Sequence, residues 1–366
     1  MSATASLKAL ARDACGQALF LTGGTVPSVR LHQRLSIITF HRVLTAPQRQ
    51  LYPLPGLAVT PSELDAHLQF FTRHFRCLSL AKALDLWAEG VYVGPPLLAI
   101  TFDDGQLDNY LNALPVLERH GVTASFYIPS QILEDPSPLW HDAMATSVAR
   151  LTACLSDPSV AHGGAARGAV GELLAELQTG PKHVRLACHS TVEAALEGTK
   201  LWRPAQRKEW ILRAQALLSS PSQPDWDGFM GVAQMRDLVA RGHEIGSHSH
   251  SHALLPQCTD DELLIEIAGS KLKLETVLDA PVTTFCYPNG SIDMRSVAGV
   301  REAGYRAAVT TRWGGNTRQQ DLHQLQRFDM NATHAQDRRG RFSEARLAWR
   351  MSGWYPGLTG TKQDPY

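Results

Sequence analysis

The stretch LLAITFDDG, residues 97–105, most constrains what this chain can become. A strand with one wet face alternates apolar and polar side chains. Residues 97–102 do not alternate, which suits a strand covered on both faces of a parallel sheet. Parallel neighbours must be joined by crossovers, usually helices. LDNYLNALPVLERHGV follows and reads as a helix stopped at Gly121, and TASFYIPS reads as the next buried strand. Residues 97–130 therefore form one strand–helix–strand unit.

The same rhythm recurs. LSIITF, residues 35–40, is the first strand, with His41 behind it. Thr60 and Glu63 make a capping box around Pro61, which starts a helix through Leu64, Leu68 and Phe71. A second capping box, Thr259 to Glu262, opens another helix. VTTFCYP, the segment RAAVTT and LQRFDM supply the later strands. Roughly seven parallel strands alternating with helices predict an α/β fold, a distorted or incomplete (β/α) barrel. The body spans 35–335, and residues 135–225 interrupt it with turn-rich, weakly helical sequence that reads as a helical insertion. Residues 1–34 form an amphipathic extension; residues 336–366 form a basic helix and a Gly/Pro-rich tail. Neither a dinucleotide G-x-G-x-x-G nor a phosphate-binding P-loop motif occurs.

Charge excludes some partners. Thirty-five Lys and Arg balance 35 Asp and Glu, so nothing draws the chain to nucleic acid. Six scattered cysteines without a C-x-x-C pair predict free thiols in a reducing compartment. No stretch of about 18 apolar residues predicts a transmembrane segment, and the start lacks a secretory pattern. The expected location is cytoplasmic, with residues 1–25 offering a peripheral membrane or partner contact.

Three segments that carry chemistry sit at predicted strand C-termini: His41, Asp103-Asp104 and the cluster His248, His250, His252. In α/β barrels that end hosts active sites. Adjacent carboxylates at a strand end point in different directions, so one can bind a metal while the other accepts a proton. Two imidazoles and a carboxylate leave an open position, the composition of a catalytic metal site. In an extended strand residues i and i+4 lie about 13 Å apart. A His248/His252 pair therefore requires a turn, whereas pairs through His250 do not. Spacing alone leaves all three pairings open.

With TFDDG at 101–105, GHEIGSHSHSHALL at 242–255 and FCYPNG at 285–290, the sequence resembles the polysaccharide deacetylases of the NodB-homology type, carbohydrate esterase family four, exopolysaccharide branch. The resemblance covers about residues 35–330 outside the insertion. It implies Asp103 as catalytic base and Asp104, His248 and His252 as metal ligands, with Ser249 bracing the turn and His250 unassigned. Two histidines and one aspartate suit Zn²⁺, with Co²⁺, Ni²⁺ or Fe²⁺ as alternatives. CYPNG lacks the family's usual arginine, for which Arg327 is the substitute candidate. His41 in ITFHRV is the candidate acid, with His323 and His334 as competitors. Tyr287, Asn289 and Trp140, the last beside Asp142, are candidates for contact with the sugar.

The implied activity is metal-dependent removal of N-acetyl groups from an aminosugar in a poly- or oligosaccharide. A second reading keeps the barrel as a non-catalytic sugar-binding scaffold; a third keeps the metal hydrolase with O-acetyl or cyclic amide substrates.

Overall fold

A computed structural model describes residues 3–88, 92–156, 164–177, 191–218, 224–331 and 333–353. Eight parallel strands carry the fold: β1 Leu35–Phe40, β2 Arg76–Leu78, β3 Leu97–Phe102, β4 Ser125–Ile128, β5 Glu244–Ser247, β6 Thr284–Cys286, β7 Ala307–Trp313 and β8 Leu325–Asp329. Neighbours run β1-β8-β7-β6-β5-β4-β3, and β3 pairs back onto β1 from Leu35↔Leu97 to Phe40↔Phe102. Seven strands thus close a barrel. The short β2 lies against residues 97–99 of β3 as an eighth strand.

Strand periodicity sorts the side chains. On β1 and β3, Leu35, Ile37, Leu97 and Ala99 join one apolar cluster with Tyr127, Cys286, Val309 and Leu325, which fills the barrel. The alternate residues Ile38, Phe40, Leu98, Ile100 and Phe102 join the larger cluster beneath the surrounding helices. Both faces of these strands are buried, which is why the sequence shows unbroken apolar runs. Both capping boxes are formed, at Thr60/Glu63 and Thr259/Glu262.

The insertion holds helices Trp140–Ser156, Gly164–Glu176, Thr191–Thr199 and Pro204–Leu218. They enclose a separate core of Met144, Val148, Leu151, Leu173 and Trp210, joined by Leu44, Tyr52 and Leu54 from the segment after β1. Helix Ala3–Leu21 packs against helix Glu344–Met351, with Gly16 on the Trp349 ring. No described helix is long and apolar enough to cross a membrane, and the five described cysteines are free. The C-terminal tail from 354 lies outside the described residues.

The turn after β6 depends on Gly290, whose φ is +65° and whose missing Cβ would collide with the Thr311 main chain and side chain. Gly290→Ala is expected to cost about 1–3 kcal/mol from strain and overlap. Denaturant titration of the two proteins checks this; equal midpoints would count against the tight approach.

Candidate active site

Asp103 continues the inward-facing column of β3 above Thr101, at the C-terminal mouth of the barrel. Arg327 reaches it from β8. Its Nη1 and Nη2 donate to Asp103 Oδ1 and Oδ2, both at 2.8 Å. Nε donates to the Thr310 carbonyl, and Nη1 also reaches Thr39 and Thr101 Oγ1. The pairing of β8 with β7 shifts register between Leu325 and Arg327, and such irregularities re-aim side chains. Arg327 Nη2 stands 3.2 Å from Cys286 Sγ, so the guanidinium lies beside the residue of CYPNG where an arginine was missing. Burial alone would raise the Asp103 carboxyl, but the guanidinium outweighs it and holds the pKa at about 2.

Asp104 turns out of the strand with φ +75°. Its Oδ1 lies 3.4 Å from His248 Nε2 and 3.3 Å from His252 Nε2, and all three side chains are buried. His248 Nδ1 lies 2.8 Å from the Cys286 carbonyl. A carbonyl only accepts, so Nδ1 carries a proton, and Nε2 is the nitrogen turned toward Asp104. Burial opposes charge on Asp104, yet His248 and His252 hold its carboxyl well below the ordinary range. Burial also pushes His252 down to about 4. Ser249 and His252 both take positive φ, +64° and +57°, which supplies the turn that a 248/252 pair needs. His250 points away, its Nδ1 2.9 Å from Ser130 Oγ.

The bracing of that turn differs from the expected one. Ser249 acts through its carbonyl, which accepts from Ser130 N–H and Ser270 Oγ, while its own hydroxyl has no partner. The larger brace is Glu266, on a π-turn at Ile265–Gly269. Its carboxylate accepts from the His250 and Ser251 N–H groups and the Ser251 hydroxyl. Nothing in the sequence marked Glu266 beyond its place on an amphipathic helix.

His41 Nε2 lies 3.9 Å from Asp103 Oδ2, with the side chain 22% exposed. Asn109 fixes the His41 carbonyl. The competing histidines are elsewhere. His323 precedes β8 at the opposite end of the barrel, with Nε2 on the Tyr305 carbonyl. His334 is gripped between the Asp329 carbonyl and Arg350. Tyr287 is a correction: its ring is fully buried and its hydroxyl donates to the His323 carbonyl, so the side chain cannot touch a sugar. Trp140 is half-buried; its Nε1–H donates to the His252 carbonyl and Arg207 covers its ring. Asn289 sits in the left-handed region at φ +55° in the loop after β6. Sequence reading missed His141, whose Nε2 stands 3.8 Å from Asp104 Oδ2.

The donor set fits a divalent cation. Asp104 Oδ1 is buried without a hydrogen-bond partner and two imidazole nitrogens flank it. Their spacing matches the edge, about 3.4 Å, of a tetrahedron with bonds of about 2.1 Å. Asp104, His248 and His252 would hold the ion.

Replacing Arg327 by Met strands a buried carboxylate and is expected to lower stability by about 3–5 kcal/mol at neutral pH. In the parent, Asp103 binds its proton more weakly folded than unfolded. Its contribution is complete above the ordinary carboxyl value and disappears as pH falls through about 2. Without Arg327, burial raises the same carboxyl, so acidification favours the variant. Urea titrations at neutral and mildly acidic pH should show the gap narrowing; a gap that widens with acid contradicts the pairing.

The polysaccharide deacetylase family model matches residues 91–160 and 205–308. YxkH of Bacillus subtilis (strain 168) is 20% identical over 295 residues, 80% of this chain and 70% of that one. Among solved structures, the Streptococcus pyogenes deacetylase PplD in complex with acetate superimposes with a TM-score of 0.55 at 15% identity, over 87% of this chain and 98% of that one. IcaB from Ammonifex degensii gives 0.52 at 15% identity, over 87% and 97%. Both structural likenesses are of fold.

Proposed function

The chain belongs to the polysaccharide deacetylase family, and from that premise we propose that it hydrolyses N-acetyl groups on an aminosugar of a poly- or oligosaccharide with the help of a divalent cation. The observation that carries this reading is the side-by-side placement of two buried carboxylates with different partners. Asp103 is paired with Arg327 and Asp104 with His248 and His252.

Zn²⁺ suits two imidazoles and one carboxylate, with Co²⁺, Ni²⁺ or Fe²⁺ as chemical alternatives, and such a cation acidifies bound water and polarises the acetyl carbonyl. Asp103 takes the proton of the attacking water. Arg327 is its positioning residue: it keeps the carboxylate ionised and turns it toward the mouth. For the developing oxyanion the proposed donor is a main-chain N–H near Asn289, in the left-handed turn after β6. The leaving amine needs a proton, and His41 supplies it from beside Asp103. Asp103 and His41 thus divide base and acid work between them. Arg327 supports the catalytic reading over the scaffold, since its guanidinium stands beside Cys286, where the family's usual arginine is missing.

Asp103→Asn, folded and metal-loaded, should release acetate from an N-acetylated chito-oligosaccharide about 10²–10⁴-fold more slowly. Release at the parental rate would remove Asp103 as the base. His41→Ala should lose a similar factor on the amide, yet far less on an aryl acetate whose leaving group needs no proton. Equal losses on both substrates would exclude His41 as the acid.

A further inference from the structure

The insertion does more than decorate the barrel. The first turn of its helix Trp140–Ser156 touches both ligand-bearing segments of the candidate metal centre. Trp140 Nε1–H donates to the His252 carbonyl at 3.0 Å. The His141 ring packs on that of His252, centroids 4.6 Å apart. His141 Nε2 also stands 3.8 Å from Asp104 Oδ2, the oxygen turned away from His248 and His252. The residue is only 8% exposed, and its Nδ1 is buried with no hydrogen-bond partner.

His141 Nε2 lies between two carboxylates. It stands 3.6 Å from Asp142 Oδ2. Asp142 accepts from the Tyr52 hydroxyl at 2.9 Å and from Gln106 Nε2 at 3.1 Å. Gln106 belongs to the same turn as Asp103 and Asp104. Tyr52 lies in the segment after β1, and its ring is covered by Arg42, which pairs with Asp108 and Asp227. A chain of buried contacts therefore runs from the segment after β1, through Asp142, to the outer oxygen of Asp104.

We infer that His141, carried in by the insertion and anchored through Asp142 and Tyr52, is a positioning residue that fixes Asp104 for one-oxygen coordination of the metal. A carboxylate that binds a cation through one oxygen leaves the other to be oriented, and losing such an outer partner typically weakens metal binding 10–100-fold. His141 stands in the right place for that task. It lies beside the oxygen that the two histidines do not face, and it is absent from the cluster whose donor atoms all lie together, Asp104, His248 and His252.

The inference rests on the metal-centre reading, and the test separates the two. Zn²⁺ affinity is measured by chelator competition on the full chain, and Co²⁺ loading gives an absorption spectrum for the coordination shell. His141→Leu should bind Zn²⁺ 10–100-fold more weakly while keeping the parental Co²⁺ bands. His141→Gln, which returns an N–H near the Nε2 position, should regain most of the affinity. Tyr52→Phe, a milder change two contacts away, should weaken binding in the same direction by less. His252→Ala should abolish it. If His252→Ala loses Zn²⁺ but His141→Leu binds at parental affinity, the inference fails alone. Altered Co²⁺ bands in His141→Leu would make His141 a ligand and overturn the positioning role. If His252→Ala binds as the parent does, the metal-centre reading itself fails.

Discussion

Arg327 and Asp103 meet at the mouth of the barrel with side chains 1% and 3% exposed. Desolvating two ions costs several kcal/mol each, and their attraction repays this only when geometry and additional hydrogen bonds are good. Both conditions are met. From β8 the guanidinium reaches the Thr310 carbonyl on β7, Thr39 on β1, Thr101 and Asp103 on and beyond β3, and Cys286 on β6. One side chain thereby ties five strands at the end of the barrel that carries the candidate site. Asp103, the proposed base, is kept anionic by the same contacts that hold the barrel mouth together.

The second requirement is a turn. His248 and His252 bring nitrogens to one carboxylate oxygen only because Ser249 and His252 adopt left-handed backbone. Among the described residues, four of the five non-glycine residues with positive φ, Asp104, Ser249, His252 and Asn289, lie in loops at this end of the barrel, so the strain is concentrated there. Glu266 satisfies the N–H groups of the turn, and Trp140 satisfies the His252 carbonyl. The sheet supplies Asp103 and the site of Cys286; bracing from a helix and from the insertion supplies the rest.

Much of this could be read from the sequence, for identifiable reasons. Unbroken apolar runs marked β1, β3 and β4 because those strands are buried on both faces, while the later barrel strands were legible from the strand–helix rhythm. The eighth strand, Arg76–Leu78, is three residues long and partly exposed, and carries no such signal. Periodicity placed Asp103, Asp104 and His41 at strand ends, but spacing left three histidine pairings open. Family resemblance, not geometry, favoured His248 with His252. Tyr287 was misjudged because a motif tyrosine says nothing about which way its ring turns; here it fills the space over His323. Glu266 and His141 escaped notice because the site segments they touch lie 15 or more residues away, and isolated polar residues on helices have no local mark.

The central claim is that Asp104, His248 and His252 form one metal centre beside an arginine-bound base. Anomalous diffraction at the zinc edge from crystals grown with stoichiometric Zn²⁺ tests it most directly. The account predicts a single strong peak within about 2.0–2.2 Å of Asp104, His248 Nε2 and His252 Nε2. It also predicts that Asp103 remains on Arg327 and off the metal. A peak bound instead through His250, or a metal that draws Asp103 away from Arg327, would contradict it.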